Sequence, residues 1–145
     1  FLVVIFGIKL MAGMSFWQLL ATVFLYLLSL LLAFLINFYF NICFGFSAFV
    51  FKNLWGSNLL KNALVAFMSG SLIPLAFFPK VVSIVLSFLP FSSLVYTPVM
   101  IVIGKYSLSQ IMVALSLQIF WLLVMVVLSQ VIWKKVQYHL TIQGG

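Results

Sequence analysis

Long runs without any charged side chain constrain this sequence more than any other feature. Residues 16–51 contain no Lys, Arg, His, Asp or Glu, and residues 106–133 form a second such run. A helix of about 20 apolar residues crosses the roughly 30 Å hydrocarbon core of a bilayer, so each run is long enough to do so. We therefore predict an all-α, polytopic integral membrane protein, with transmembrane helices and, as argued below, a re-entrant helical hairpin.

Lysines, glycines and prolines divide residues 1–145 into segments of a single transmembrane domain. Because the sequence opens inside an apolar stretch, we expect this domain to be incomplete at its N-terminus. We also expect a bend, or the passage into the membrane interface, at residues 37–45, since a straight helix over the first long run would extend about 54 Å. The predicted segments are the end of a helix at 1–8, a long helix at 16–51, a helix at 59–77 loosened or ended by Pro74, a re-entrant hairpin at 81–104, a last helix at 108–133 and a cytoplasmic tail at 134–145.

Prolines interrupt the charge-free run at residues 81–104. Pro90 divides this run near its middle, and we expect Pro98 to break the helix again. Each half then has roughly nine residues, or about 14 Å of helix, which is half of a bilayer. Two half-helices favour a re-entrant hairpin over a membrane span. Such backbone must be covered by protein or must face a wet cavity, because lipid cannot pair its free amides and carbonyls.

The sequence contains no Asp or Glu, which excludes several classes of function for this chain. Glycoside hydrolysis, aspartyl proteolysis and two-metal phosphoryl transfer all need carboxylates. Ion-coupled transport also tends to place an ionisable group at membrane depth. A single His139 and a single Cys43 make no ligand set, and the dispersed lysines disfavour nucleic-acid binding. We predict no catalytic, cofactor-binding or metal-binding residue here.

Some polar and small residues lie inside the apolar runs. Asn37 and Asn41 are four residues apart and so share a helix face. Their amides can contact a neighbouring helix or a substrate. Ser69, next to Gly70, offers a small surface for close approach of another helix. Asn37, Asn41 and Ser69 are therefore candidates for either pathway lining or helix contact.

An ordered series of glycines and prolines runs through residues 68–105. The pattern is a small residue, Gly-x-x-Ile-Pro-Leu, Phe-Pro, Leu-Pro-Phe, a further Pro and then Gly, with Gly-Gly after the last span. It consists of Ser69, Gly70, Ile73, Pro74, Leu75, Phe78, Pro79, Leu89, Pro90, Phe91, Pro98, Gly104, Gly144 and Gly145. This pattern resembles the C-terminal half of permease subunits of type-2 ATP-binding-cassette exporters, and the resemblance covers residues 37–145. It implies a structural or gating role for Gly70, Pro74, Pro79, Pro90, Phe91, Pro98 and Gly104.

The resemblance implies a six-helix permease in which residues 16–51 form the fourth helix and residues 59–77 the fifth. The fifth helix would lead into re-entrant helices on the outer side of the membrane. Two permease chains, identical or different, would form the path, and separate cytoplasmic ATPase subunits would bind ATP and Mg²⁺. The family's first two helices and its coupling helix do not correspond to residues of this sequence.

We therefore predict a permease subunit of an ATP-driven exporter that moves an amphiphile such as a drug, a lipid or a hydrophobic peptide. It would be a multi-pass protein of the bacterial cytoplasmic membrane, in contact with lipid and without enzyme activity. The absence of a Gly-x-x-x-x-Gly-Lys phosphate loop agrees with ATP hydrolysis on another chain. The alternative is a non-transporting helical scaffold or an accessory subunit of a larger complex.

Overall fold

A computed structural model describes residues 15–47 and 54–143 of the chain. This part of the chain is helical and contains no strand, which confirms the predicted fold class. Its elements are α1 (Phe16–Ser47), α2 (Leu54–Met68), a 3₁₀ helix (Leu75–Phe77), α3 (Lys80–Phe88), α4 (Tyr96–Val102) and α5 (Leu108–Gln143). The predicted helix end at 1–8, the last residues of the predicted helix 16–51, and Gly144 with Gly145 lie outside the described residues.

Two helices are long and apolar enough to cross a membrane by length and composition. They cover Phe16–Phe46 and Leu108–Gln137. Only 22% of the most apolar 18-residue segment of each helix is buried. Large apolar side chains such as Trp17 (76% exposed) and Val113 (69% exposed) point away from the rest of the chain. An apolar surface of this size is typical of a membrane or interaction surface. The structure thus agrees with a helical membrane protein.

The core lies where α1, α4 and α5 meet. Leu32 of α1, Ile101 of α4, and Ile111 and Leu115 of α5 form one buried cluster. The short helix α4 therefore packs against both long helices. This arrangement holds the end of the predicted hairpin next to the first half of α5.

The helix predicted at 59–77 has different bounds in the structure. Helix α2 already begins at Leu54 and ends at Met68, and its 15 residues extend about 22 Å. Gly70 has a φ of +79°, a left-handed conformation that stops the helix. Pro74 does not end α2 but precedes the 3₁₀ helix as its N-cap residue.

Both long helices are continuous in the structure. Helix α1 runs through residues 37–45 and includes Gly45, and the bend or passage into the interface expected there stays a prediction, because a bent helix is also continuous. Helix α5 continues past residue 133 to Gln143, so residues 134–143 of the predicted tail are helical. Lysine is a good helix former, and Lys134 and Lys135 therefore end the apolar run without ending the helix.

Helices α3 and α4 are two short pieces joined by the non-helical turn 89–95. Pro98 does not break a helix, because it lies in the first turn of α4, where backbone N–H groups have no partner in the helix. Gly104, with a φ of +66°, ends α4. Its N–H donates to the Ile101 carbonyl and the Lys105 N–H to the Met100 carbonyl, each over 3.1 Å, as in a Schellman cap.

Candidate functional site

The turn 89–95 is attached to α5 by Gln118. The side chain of Gln118 is fully buried, and its Nε2 donates to the backbone carbonyl of Ser93 over 2.8 Å. A second bond from Nε2 reaches the Ser29 carbonyl in α1 over 3.3 Å. Since carbonyls only accept hydrogen bonds, these contacts fix the orientation of the amide. One glutamine thus joins α1, α5 and the turn.

Trp121 makes a matching contact at the other end of the turn. Its Nε1 donates to the carbonyl of Phe88, the last residue of α3, over 2.8 Å. The final carbonyls of a helix lack partners within the helix, so this bond satisfies one of them. Gln118 and Trp121 are three residues apart and lie on the same face of α5. We call this pair the hairpin clamp.

Helix α1 also contacts the turn through an aromatic pair. The rings of Phe91 in the turn and Phe40 in α1 meet edge to face, with centroids 5.4 Å apart, a favourable aromatic geometry. Within the turn, the Ser92 hydroxyl contacts the carbonyls of Ser87 and Leu89 at 2.9 Å each. The turn is therefore held by α1, by α5 and by its own side chains.

Three buried oxygens beside the hairpin clamp have no hydrogen-bond partner among the described residues. They are the hydroxyls of Ser29 and Ser93 and the Oε1 of Gln118. Both serines are fully buried. Unpaired polar atoms in an apolar interior cost free energy, so these three oxygens reduce the stability of the contact between α1, α5 and the turn.

A cavity of about 510 Å³ separates α1 from α2. We call it the α1–α2 groove. Its volume lies within the range of roughly 300 to 1,000 Å³ that is usual for ligand sites. Its walls are formed by α1, by α2 with the residues that follow it, and by the turn 89–95, through Leu30, Ala33, Phe34, Asn37, Phe40, Asn41, Lys61, Asn62, Val65, Ala66, Ser69, Ser71, Leu94 and Val95.

One part of this groove carries linked polar side chains. Lys61 Nζ donates to Asn41 Oδ1 over 2.6 Å. Asn41 Nδ2 in turn donates to the backbone carbonyl and the Oδ1 of Asn37 over 2.8 and 3.1 Å. The ammonium group of Lys61 also lies 5.0 Å from the centre of the Phe44 ring, within cation–π range. Lys61 therefore links α2 to α1 through neutral groups.

Comparison with known families decides what kind of protein this is. A family model described as an ABC-2 family transporter protein matches residues 1–144. The chain belongs to the ABC-2 transporter family. The match includes residues before position 37, where the resemblance in sequence begins. It confirms the resemblance and identifies the chain as a permease, the membrane component of an ABC transporter, which is not itself the catalytic component.

No curated protein and no solved structure matches this ABC-2 permease.

The structure brings the three candidate polar residues of the permease to one place. Asn37, Asn41 and Ser69 all line the α1–α2 groove. The Asn41 contact with Lys61 joins two helices, so helix contact and groove lining occur together. Ser69 is buried, and its hydroxyl donates to the Ala66 carbonyl over 3.3 Å.

The seven residues predicted to have a structural or gating role belong to several elements of the permease. Gly70 and Pro74 follow α2, and Pro79 is the N-cap residue of α3. The others belong to the turn 89–95 or to α4 and its cap, namely Pro90, Phe91, Pro98 and Gly104. Their common property is that they begin, end or join short helices, and their role in gating stays a prediction.

Sequence reasoning did not identify Gln118, Trp121 or Lys61 as site residues. Gln118 carries a signal that was available, because it is the one amide side chain in the apolar stretch 111–129. Polar residues in such stretches tend to face other protein groups. Lys61 is the eighth of the 15 residues of α2 and so lies at the middle of this helix. Its contact with α1 depends on how the helices pack.

Proposed function

We propose that this ABC-2 permease exports an amphiphilic substrate such as a drug, a lipid or a hydrophobic peptide. The observation that carries this proposal is the α1–α2 groove, which combines linked polar side chains with an apolar wall. A site with both properties suits a molecule that has a polar head and an apolar body. Alternating access or lateral extrusion would then move the substrate outward.

The energy would come from separate cytoplasmic ATP-binding-cassette subunits, which bind ATP and Mg²⁺. The permease sequence has no phosphate loop and no acidic residue to hold Mg²⁺, which supports hydrolysis on a partner chain. A second permease chain, identical or different, would complete the path. Exposed apolar side chains on α2, including Leu59 (60%) and Leu60 (63%), leave room for that chain or for lipid.

We place the complex in the bacterial cytoplasmic membrane, with this chain crossing the bilayer several times. Helices α1 and α5 are the two described helices long enough to cross. The hairpin formed by α3, the turn 89–95 and α4 would enter from the outer side and return there. The scaffold alternative is less favoured, because membership of a transporter family and a groove of ligand size both agree with transport.

A tagged form of the permease, purified from its native membranes in mild detergent, tests this proposal. We expect an ATPase to co-purify and its activity to be inhibited by vanadate. In inverted vesicles that contain the complex, a fluorescent amphiphile should accumulate only with ATP. The matched control carries a substitution of the phosphate-loop lysine in the partner ATPase. A complex that forms without any ATPase, or uptake that does not depend on ATP, would support the scaffold or another transport class.

A further inference from the structure

The charge of Lys61 has no counter-ion in this chain. Lys61 is the one charged side chain among the described residues that line the α1–α2 groove. Its contacts are the neutral Asn41 amide and the Phe44 ring, and the whole sequence contains no Asp or Glu. The Lys61 side chain is only half-buried and its bond to Asn41 is exposed, so the ammonium group is accessible to a ligand from outside the chain. The groove therefore has a net positive charge that an external anion can neutralise.

The charged end of the groove is separated along α1 from a mostly apolar wall. Asn41 contacts Lys61 at the charged end, whereas the rest of the lining includes the apolar Leu30, Leu94 and Val95 together with the hydroxyl-bearing Ser69 and Ser71. Asn41 and Leu30 are separated by eleven positions of α1, or about 16 Å along the helix axis. A ligand that fills this length has its charge at one end and an apolar chain at the other.

We propose that the α1–α2 groove binds an anionic amphiphile, with a phosphate or carboxylate headgroup at Lys61 and the apolar chain directed along α1 toward Leu94 and Val95. Asn62 lines the groove next to Lys61 and supplies an amide donor for the same headgroup. The identification of this ligand as the exported substrate rests on the proposed function. The existence of the binding site does not depend on the proposed function.

Other occupants fit these observations less well. Residues 1–145 of a second copy bring further lysines and no acidic side chain, so these residues do not neutralise Lys61. A cationic amphiphile would meet a like charge, which is unfavourable at close range. A neutral amphiphile would fill the apolar wall but would leave the ammonium group without a charged partner.

Binding of radiolabelled dodecyl phosphate to the purified complex in phosphatidylcholine nanodiscs tests the proposal. We expect dodecyl phosphate to bind at least tenfold more tightly than dodecanol or dodecyltrimethylammonium. Lys61→Gln should remove this preference and Lys61→Arg should keep it, because arginine retains the charge and pairs well with phosphate. The matched control is Lys80→Gln, which removes an exposed lysine of α3 outside the groove and should change nothing.

Two competitors distinguish the sources of the anion. Displacement by phosphatidylglycerol in the nanodisc would identify a bilayer lipid as an occupant and would support the site. Displacement by inorganic phosphate as effectively as by unlabelled dodecyl phosphate would overturn the amphiphile part of the proposal. Equal binding of all three dodecyl compounds, or full binding by Lys61→Gln, would overturn it entirely.

The outcomes also separate this inference from the proposed function. ATP-driven transport of neutral or cationic amphiphiles that does not depend on Lys61 would support the exporter but would contradict the anion site. Binding of dodecyl phosphate that requires Lys61, in a complex without ATP-driven transport, would support the anion site but would contradict the exporter.

Discussion

The side-chain amide of Gln118 donates a hydrogen bond to the backbone carbonyl of Ser93 over 2.8 Å. This bond connects the first half of an apolar helix to a non-helical turn, in which the Leu94 N–H also donates to the Phe91 carbonyl over 3.1 Å. Lipid offers no hydrogen-bond donor for such a carbonyl, so the protein must supply one. Gln118 therefore makes it possible for non-helical backbone to lie between α1 and α5.

Gln118→Leu should destabilise the permease. Leucine keeps most of the volume but removes both bonds from Nε2, which leaves the buried Ser93 carbonyl without its donor. An unpaired buried polar group costs about 1 to 3 kcal/mol. The measurement is the free energy of unfolding in mixed micelles, and we expect it to fall by that amount.

Ser29→Ala is the matched control for this substitution. Ser29 is as fully buried as Gln118 and lies beside it, but its hydroxyl has no partner among the described residues. Removing the hydroxyl should leave stability unchanged or raise it slightly, because an unpaired polar atom is lost. If Ser29→Ala destabilised the protein as much as Gln118→Leu, tight packing and not the hydrogen bond would explain the effect.

Gly70→Ala should also destabilise the permease, by roughly 1 to 3 kcal/mol. The φ of +79° at Gly70 disfavours any residue with a Cβ, and a Cβ built there would lie 2.5 Å from the Cδ1 of Leu75. Leu75 is fully buried, so it has little room to move. The measurement is again the free energy of unfolding in mixed micelles.

Gly45→Ala provides the comparison for Gly70→Ala. Gly45 lies within α1, and no atom lies within 4 Å of a Cβ built there. Alanine is favoured over glycine in a helix by about 1 kcal/mol, so this variant should be as stable as the wild type or more so. Equal losses of unfolding free energy in the two variants would show that the left-handed conformation of Gly70 does not explain the cost of replacing it.

The sequence was sufficient to predict where helices occur but not where each one ends. Charge-free runs indicated α1 and α5 because bilayer thickness sets a minimum length for an apolar span. The end of α2 was misplaced, because proline at position 74 was weighted above glycine at position 70. A glycine ends a helix only when it adopts a left-handed conformation, and the sequence alone does not show which glycine does so.

The candidate site was predictable in part for a similar reason. Asn37 and Asn41 could be recognised as neighbours on a helix face from their spacing alone. The contact of Asn41 with Lys61 joins residues 20 positions apart, and the contact of Gln118 with Ser93 joins residues 25 positions apart. Such contacts depend on how helices pack, and no local spacing rule describes them.

Tyr106 should titrate at unusually high pH. It lies between α4 and α5, where burial, and secondarily the charge of Tyr96, raise the pKa of its phenol from 10.0 to about 12. The neutral phenol is favoured in the folded state, so the stabilisation is complete below about pH 10 and is lost as the pH rises through about 12. The difference in phenolate absorbance between the wild type and Tyr106→Phe measures this titration. A midpoint near 10 in the folded protein would contradict the burial of Tyr106.

The central claim is that the α1–α2 groove is part of a transport path driven by ATP. The most direct measurement is the labelling rate of Ala66→Cys, which lines the groove, with a membrane-impermeant maleimide in a Cys43→Ser background. Lys80→Cys, an exposed position at the start of α3 and outside the groove, is the control.

We predict that the labelling rate of Ala66→Cys changes several-fold between the ATP-free complex and the complex trapped with ATP and vanadate, whereas that of Lys80→Cys does not change. An unchanged rate at Ala66→Cys in a complex that hydrolyses ATP would contradict the claim.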